Sequence, residues 1–357
     1  MKYFLIVLLS LNFWVGCTHV GPQTVPRDRF EYNTAIADSW KEQTLLNIVK
    51  LRYADMPLFV EVASIVSGYT LEGSVNLGGS LSSDSATQGD LLSLGTSGKY
   101  TDRPTITYAP ITGAKFNHNF MIPIPPKSLL FLLQAGWPAD IIFPIVVESV
   151  NGFRSRQAAG TDQRLGDPEF YRLVKLLRKT QKSGAVGMRI LKGTAAKETT
   201  VLFFHRQIES QEIVDARIEI HQLLGLDPSR QEFKVTYGLL SQDDGEIAIL
   251  TRSILQIMVD LAAQIDVPAE HVADGLTPSA LPPPVDEAAH YKQLIQVQTG
   301  PDKPVSAYTA VYYEGHWFWI DKRDFRSKRT FAFLMMLFSL TETGGKEGLP
   351  LVTIPAG

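Results

Sequence analysis

The sequence predicts an α+β fold, in which mostly antiparallel sheets pack with helices and a long amphipathic β-hairpin lies near the N-terminus. The hairpin is predicted because apolar and polar residues alternate with a period of two over 69–81 and again over 92–101. The sheets are predicted because short strand-like segments recur beyond residue 127, and neighbouring strands of this kind usually pair antiparallel.

Apolar periodicity and cap signals define the other elements. Predicted helices cover 33–52, 129–134, 138–147, 210–224 and 254–265, and two more begin after Asp167 and Asp324. Predicted strands cover 186–191, 200–205, 232–237, 246–250, 291–298, 308–313, 317–320 and 351–354. Asp167 and Asp324 are helix N-caps, Pro168 suits a first helical position, and Gly225 suits the position after a helix end. The segment 331–340 is apolar all round, which predicts a central core helix.

The composition is that of a folded protein and limits the functional classes. Of the 357 residues, 45% are hydrophobic and 20% are charged. The net charge of −3 leaves no basic surplus, so we expect no nucleic-acid partner. The single cysteine excludes an internal disulfide and any zinc site built on paired cysteine ligands.

The N-terminal segment has the layout of an export signal. Lys2 precedes an apolar run over 3–16 that only Ser10 and Asn12 interrupt. A membrane-spanning helix needs about 20 apolar residues, so this run is too short to be a span. The run ends at the only cysteine of the chain, Cys17.

The end of this segment resembles the lipobox of bacterial lipoproteins, in which a small residue precedes a cysteine. Gly16 and Cys17 match those two positions and Val15 is compatible with the pattern, whereas Trp14 stands where the family usually has an aliphatic residue. The resemblance implies that the Cys17 thiol is modified with diacylglycerol, which carries fatty-acyl chains such as palmitate, and that signal peptidase II cleaves just before this residue. Thr18, in place of aspartate, implies the outer membrane, with the mature domain in the periplasm. The alternatives are an ordinary secretory signal and an uncleaved anchor.

The chain as a whole divides into successive segments. They are a signal peptide (1–16), a lipidated tether and helix (17–60), an extended β-hairpin (61–112), an α+β domain (113–275), a Pro-rich linker (276–287) and a C-terminal α+β segment (288–357). The last segment is either separate or part of the preceding domain. The polar tip of the hairpin covers 82–90.

No catalytic motif is found in the sequence. A G-x-S-x-G elbow, a phosphate-binding glycine loop followed by Lys-Ser/Thr, and an H-E-x-x-H pair are all absent. The two histidines nearest in sequence, His205 and His221, are sixteen residues apart, so no local metal-binding motif exists, although distant ligands can converge. We therefore assign no catalytic residue, metal site or cofactor, and a non-enzymatic role is favoured over an enzymatic one.

An aromatic strand flanked by polar residues is a candidate ligand-binding site. His316, Trp317, Trp319 and Asp321 could contact a sugar ring by stacking and hydrogen bonding. The alternative is a hairpin strand whose aromatic side chains belong to the core.

Basic residues form a candidate interface with anionic lipid or with a protein. Arg154, Arg156 and Arg164 fall in a loop, and Arg172 and Lys175 lie on the outer face of the next helix. The alternative is a solvated surface with no partner.

These observations favour a structural or assembly role for an outer-membrane-anchored lipoprotein of the cell envelope. It would contact the membrane through the lipid on Cys17 and associate with itself or with another envelope protein. One form of this role is an oligomeric ring in which hairpins of neighbouring subunits pair. The alternative for the hairpin is packing on its own domain or on a neighbour. The alternative for the whole protein is a periplasmic glycan-binding protein or hydrolase.

The lipid anchor is directly testable. Cells that express the protein and are fed a labelled fatty-acid analogue should incorporate label into the wild-type chain and none into Cys17→Ala, because the thiol is the acylation site. Equal labelling of the two proteins would contradict the anchor.

Overall fold

A computed structural model describes residues 20–66, 68–80, 91–158, 164–192, 198–205, 210–279 and 293–341. The signal peptide, Cys17, the hairpin tip, most of the Pro-rich linker and the predicted strand over 351–354 lie outside these residues. Two compact units are distinguished. The first comprises Met1–Ser39, Val60–Pro110 and Lys346–Gly357, and the second comprises Trp40–Phe59 and Ile111–Gly345.

The first helix, α1 (Val20–Arg52), is longer than predicted. The sequence predicted a polar tether ahead of a helix at 33, whereas the chain is helical from Val20 onward. Most of the side chains between 25 and 42 are exposed, so the polar composition that suggested a tether also suits a solvated helix.

The first unit contains a long two-stranded ribbon. Its strands are β1 (Val60–Val66), β2 (Tyr69–Ser80), β3 (Leu91–Asp102) and β4 (Thr105–Pro110). Strand β2 pairs antiparallel with β3 and β1 pairs antiparallel with β4, and the amide of Arg103 donates to the carbonyl of Gly68 between the two pairs. The register is continuous from Ser64 to Ser80, and its irregularity lies between Val62 and Ser64. These residues, 60–80 and 91–110, are called the ribbon below.

The second unit is built on a six-stranded sheet. Its strands are β5 (Val147–Val150), β6 (Phe153–Arg154), β7 (Val186–Lys192), β8 (Glu198–Phe204), β9 (Glu232–Tyr237) and β10 (Glu246–Thr251), in the order β6-β5-β10-β9-β8-β7. All neighbours pair antiparallel except β9 and β10, which are parallel. The connection over 238–245 can return along β9 because eight extended residues reach roughly 26–29 Å, more than the length of a six-residue strand.

A smaller sheet of three antiparallel strands belongs to the same unit. It contains β11 (Gln298–Gly300), β12 (Ala307–Tyr313) and β13 (His316–Asp321), with β13 in the centre. The strand predicted over 291–298 is wrong for its described residues, 293–297. Their backbone donors go to side chains instead: the amide of Leu294 donates to Gln264 Oε1 and that of Gln296 donates to Ser327 Oγ. Side-chain acceptors thus replace a neighbouring strand.

Helices pack around both sheets. After α1 they are α2 (Gly113–Phe116), α3 (Pro126–Gln134), α4 (Ala139–Val146), α5 (Pro168–Lys182), α6 (Gln211–Leu224), α7 (Ile254–Ala262), α8 (Ala269–Ala273) and α9 (Phe325–Thr341), with a π-helical turn at Asn117–Met121. The α+β fold class is therefore confirmed. No helix in the described part of the chain combines the length and apolar character needed to cross a membrane.

The helix ends follow the predicted signals, with one difference. Gly225 adopts a left-handed conformation after α6, with φ of 64°, and Asp324 accepts the amide of Ser327 at the start of α9. Asp167 is the N-cap residue of α5 but does not cap it through its side chain. Its carboxylate accepts the amide of Arg154 instead, at 2.7 Å.

Helix α9 lies in the core of the second unit. Phe331, Phe333 and Leu334 are fully buried and Leu337 is almost so. The predicted core helix is thus confirmed. Its apolar side chains are removed from water on folding, and this burial stabilises the folded state.

A buried arginine joins several elements of this unit. Arg252, just after β10, is 4% exposed, and its guanidinium donates to the carbonyls of Pro144 and Arg156 and to Ser155 Oγ. The Asp260 carboxylate lies 3.9 Å away. One side chain therefore satisfies carbonyls at the end of α4 and beyond β6.

Replacing this arginine should destabilise the protein strongly. Arg252→Met removes the donors but leaves the carbonyls and the Asp260 carboxylate buried, so the free energy of unfolding should fall by about 3 kcal/mol or more. Urea unfolding measures this. The control is Arg230→Met, at an arginine whose side chain is 54% exposed in a surface ion pair; its effect should stay within about 0.5 kcal/mol. Equal effects of the two substitutions would contradict the account.

Candidate functional site

Helix α8 and the β12–β13 hairpin bring together Glu270, His271 and His316. One potential ligand atom from each residue lies within 4.8 Å of the others. His316 Nε2 is 3.2 Å from Glu270 Oε1, and the two imidazole rings meet edge to face with centroids 4.9 Å apart. These three residues are called the Glu–His–His cluster.

A tight turn positions His316. Strands β12 and β13 are joined by Glu314 and Gly315, whose φ angles of 45° and 78° are both positive. Positive φ at both central residues is the signature of the two-residue type I′ hairpin, whose twist matches that of the flanking strands. His316 is therefore the first residue of β13, directly opposite Tyr313.

Tyr53 holds the second imidazole. Its hydroxyl is 2.7 Å from His271 Nδ1, and its ring also meets those of Tyr313 and Phe318 edge to face. Burial disfavours the phenolate and raises the pKa of Tyr53 to about 12, so the hydroxyl is neutral at physiological pH. With Nδ1 engaged, Nε2 is the remaining ring nitrogen of His271.

Tyr53 is fixed by the way α1 ends. Ala54 has a φ of 60°, the amide of Asp55 donates to the carbonyl of Lys50, and that of Ala54 donates to Leu51. This is the Schellman pattern, with alanine in the left-handed position that glycine usually takes. The hydroxyl of Tyr313 donates to the Asp55 carboxylate, and the pKa of Tyr313 is raised, first by burial and then by this carboxylate.

One side of the cluster is open to solvent. The Glu270 side chain is 66% exposed, that of His316 is 17% exposed, and His271 is buried. His316 Nδ1 is buried without a hydrogen-bond partner among the described residues, so the ring depends on Glu270 for its polar contact. Two imidazoles and a carboxylate are donors that suit a divalent transition metal.

The sequence did not predict this cluster. The search for local metal motifs fails because the ligands belong to separate elements, α8 and β13, and only the fold brings them together. His316 was a candidate for a different reason, whereas Tyr53, Glu270 and His271 were not singled out. Nothing in their spacing identifies them.

The aromatic strand is divided between two faces of the smaller sheet. Along β13 the buried Phe318 and Ile320 share the face of His316, and Trp317, Trp319 and Asp321 lie on the other. The structure therefore does not bring His316 together with its three predicted neighbours.

The outer face of this strand has partners of its own. Trp317 packs against Tyr312, with ring centroids 5.5 Å apart, and Lys303 Nζ lies 5.2 Å from the Trp317 ring centre. Hydrogen bonds from Arg323 lower the pKa of Asp321. The side chains of Trp317 and Trp319 are partly exposed to solvent.

The predicted basic interface is likewise divided. Arg172 and Lys175 are exposed on α5, where Arg172 pairs with Glu219. Arg156 is buried, and Arg164 donates to the carbonyl of Ser155. Burial and then the neighbouring Arg154 lower the pKa of Arg164. Arg154 lies in strand β6 rather than in a loop and is half-buried. Arg156 and Arg164 contact the interior, and Arg172 and Lys175 face water.

An apolar cavity of about 60 Å³ lies between the larger sheet and helices α3 to α6. Gln181 is one of its few polar lining residues, and its amide is already engaged. It donates to the carbonyls of Leu133 and Trp137 and accepts the amide of Ala139. The cavity therefore offers little polar chemistry to orient a ligand.

The chain matches no protein-family model, no curated protein and no solved structure among those with which it was compared. Its functional features are consequently those seen in the chain itself. In the first unit the feature is the ribbon, and in the second it is the Glu–His–His cluster.

Proposed function

We propose that this chain is a lipid-anchored protein of the bacterial outer membrane with a structural role in the cell envelope. Copies of it assemble by adding ribbon to ribbon, so that hairpins of neighbouring subunits pair edge to edge. The observation that carries the proposal is the ribbon, whose strands have only each other as neighbours within the described residues.

Within the described residues, neither outer edge of the β2–β3 pair is joined by a further strand. In an antiparallel pair, about half of the amides and carbonyls of each strand point away from the partner. Strands β2 and β3 pair over twelve residues each, so each edge extends for about 40 Å. Isolated two-stranded sheets are marginally stable, and a further strand would stabilise this one.

The long strands β2 and β3 lack the proline and the bulge that often protect an edge. Natural edge strands carry proline, charged residues or bulges that prevent pairing with another chain. Strands β2 and β3 contain no proline, and Glu72 lies directly opposite Lys99, so these two charges offset each other. The irregularity in the register lies at the other end, near Val62. Val75 is 66% exposed, which leaves apolar surface for a neighbour.

The proposed lipid on Cys17 makes such assembly more favourable. Copies confined to one membrane share an orientation and a raised effective concentration, so a weak edge contact is sufficient. An edge-to-edge contact between identical chains is heterologous, and it closes into a ring when the rotation between copies permits.

The glycan-binding alternative has a weaker basis. It relied on His316, Trp317, Trp319 and Asp321 acting together, and strand alternation separates His316 from the other three.

Shortening the ribbon should abolish assembly. A variant in which an Asn-Gly turn replaces 70–101 keeps β1 and β4 but loses the twelve-residue strands. We expect the mature wild-type protein to be oligomeric by light scattering in detergent, and this variant to be monomeric with an unchanged melting temperature of the second unit.

The matched control replaces only 82–89 with the same turn. Because it retains both strands, it should remain oligomeric. A wild-type protein that is monomeric at every concentration, with and without detergent, would contradict the proposal. So would a shortened variant that assembles as the wild type does.

A further inference from the structure

The Glu–His–His cluster has the composition and spacing of a three-ligand metal site. His316 Nε2 and Glu270 Oε1 are 3.2 Å apart. Two ligands of a tetrahedral zinc ion with bonds of about 2.0–2.2 Å are separated by roughly 3.4 Å. The remaining separations lie within 4.8 Å, and rotation of the exposed Glu270 side chain can shorten the one between Glu270 and His271.

We infer that Glu270, His271 and His316 bind a divalent transition metal ion, with Zn²⁺ as the expected occupant. Two imidazole nitrogens and one carboxylate oxygen favour zinc over magnesium or calcium, which prefer oxygen ligands throughout. This site belongs to the second unit and does not depend on the proposed assembly of ribbons.

The surrounding residues hold one ligand in a binding orientation. A metal-binding histidine normally gives its second ring nitrogen to an acceptor, which fixes the tautomer and the ring. The Tyr53 oxygen lies 2.7 Å from His271 Nδ1 and can accept this hydrogen bond when Nδ1 carries the proton. Nε2 of this buried ring is then the nitrogen that binds the metal. Tyr53 acts through His271 and is a positioning residue.

The site keeps one coordination position for a ligand from outside. Three protein donors leave the fourth position of a tetrahedral zinc open, which is the arrangement of reactive rather than purely structural zinc sites. The exposure of Glu270 places solvent next to the cluster. Water fills this position, and an anionic or carbonyl group of a ligand can replace it.

Zinc titration of the mature protein tests the site. The protein carries no histidine tag and has Cys17→Ser, so that no added imidazole or free thiol competes. Calorimetry at neutral pH should give one Zn²⁺ per chain. Glu270→Gln and His316→Gln should each weaken the affinity at least tenfold, and Tyr53→Phe should weaken it about tenfold.

The matched control is His205→Ala, which removes an exposed histidine outside the cluster and should bind zinc as the wild type does. Visible spectra of the Co²⁺-loaded protein provide a second readout, because tetrahedral bands should be present in the wild type and lost in Glu270→Gln. The glutamate is exposed, so this variant should fold normally. Absence of stoichiometric zinc binding, or unchanged affinity in folded Glu270→Gln and His316→Gln, would overturn the inference.

Discussion

Every buried backbone donor and acceptor needs a hydrogen-bond partner, and this constraint governs how the second unit is built. The six-stranded sheet meets this need for regular strands, and side chains meet it where the backbone is irregular. Asn47 exchanges two hydrogen bonds with the backbone of Leu58, and Asn151 binds the backbone of Leu224 and Ala248. Arg252 performs the same task for carbonyls at the end of α4. In the first unit, β2 and β3 have no neighbouring strand other than each other within the described residues, and this contrast is the basis of the assembly proposal.

The same rigid framework explains why the Glu–His–His cluster can exist. Three features that are local in sequence set its geometry: the Schellman end of α1, the short helix α8 and the Glu314-Gly315 turn. Each has a backbone set by hydrogen bonding or by positive φ angles, and contact with Tyr53 orients His271, whereas the exposed Glu270 side chain can rotate. Pre-positioned donors lose little conformational freedom on binding, and affinity for a metal gains accordingly.

Much of the fold could be predicted because its signals are local. The alternation of apolar and polar residues predicted where the strands of the ribbon lie. Gly225 marked the end of a helix because glycine adopts positive φ angles readily, and Asp324 marked the start of a helix because its side chain can cap the first turn. The parallel pairing of β9 with β10 could not be predicted, since adjacent strands usually pair antiparallel. Residues 293–297 of the strand predicted over 291–298 do not form a strand, because Gln264 and Ser327, distant in sequence, accept the backbone amides of Leu294 and Gln296. The cluster escaped prediction for the same reason, since its members meet only through tertiary structure.

Hydrogen exchange along the ribbon tests the central claim most directly. In a single ribbon only alternate amides of β2 and β3 face the partner strand, so the outward amides should exchange freely. If copies pair edge to edge, the outward amides of 69–80 and 91–102 should be protected in the assembled protein and should lose protection on dilution to monomers. Free exchange of every outward amide at all concentrations would contradict assembly through the ribbon.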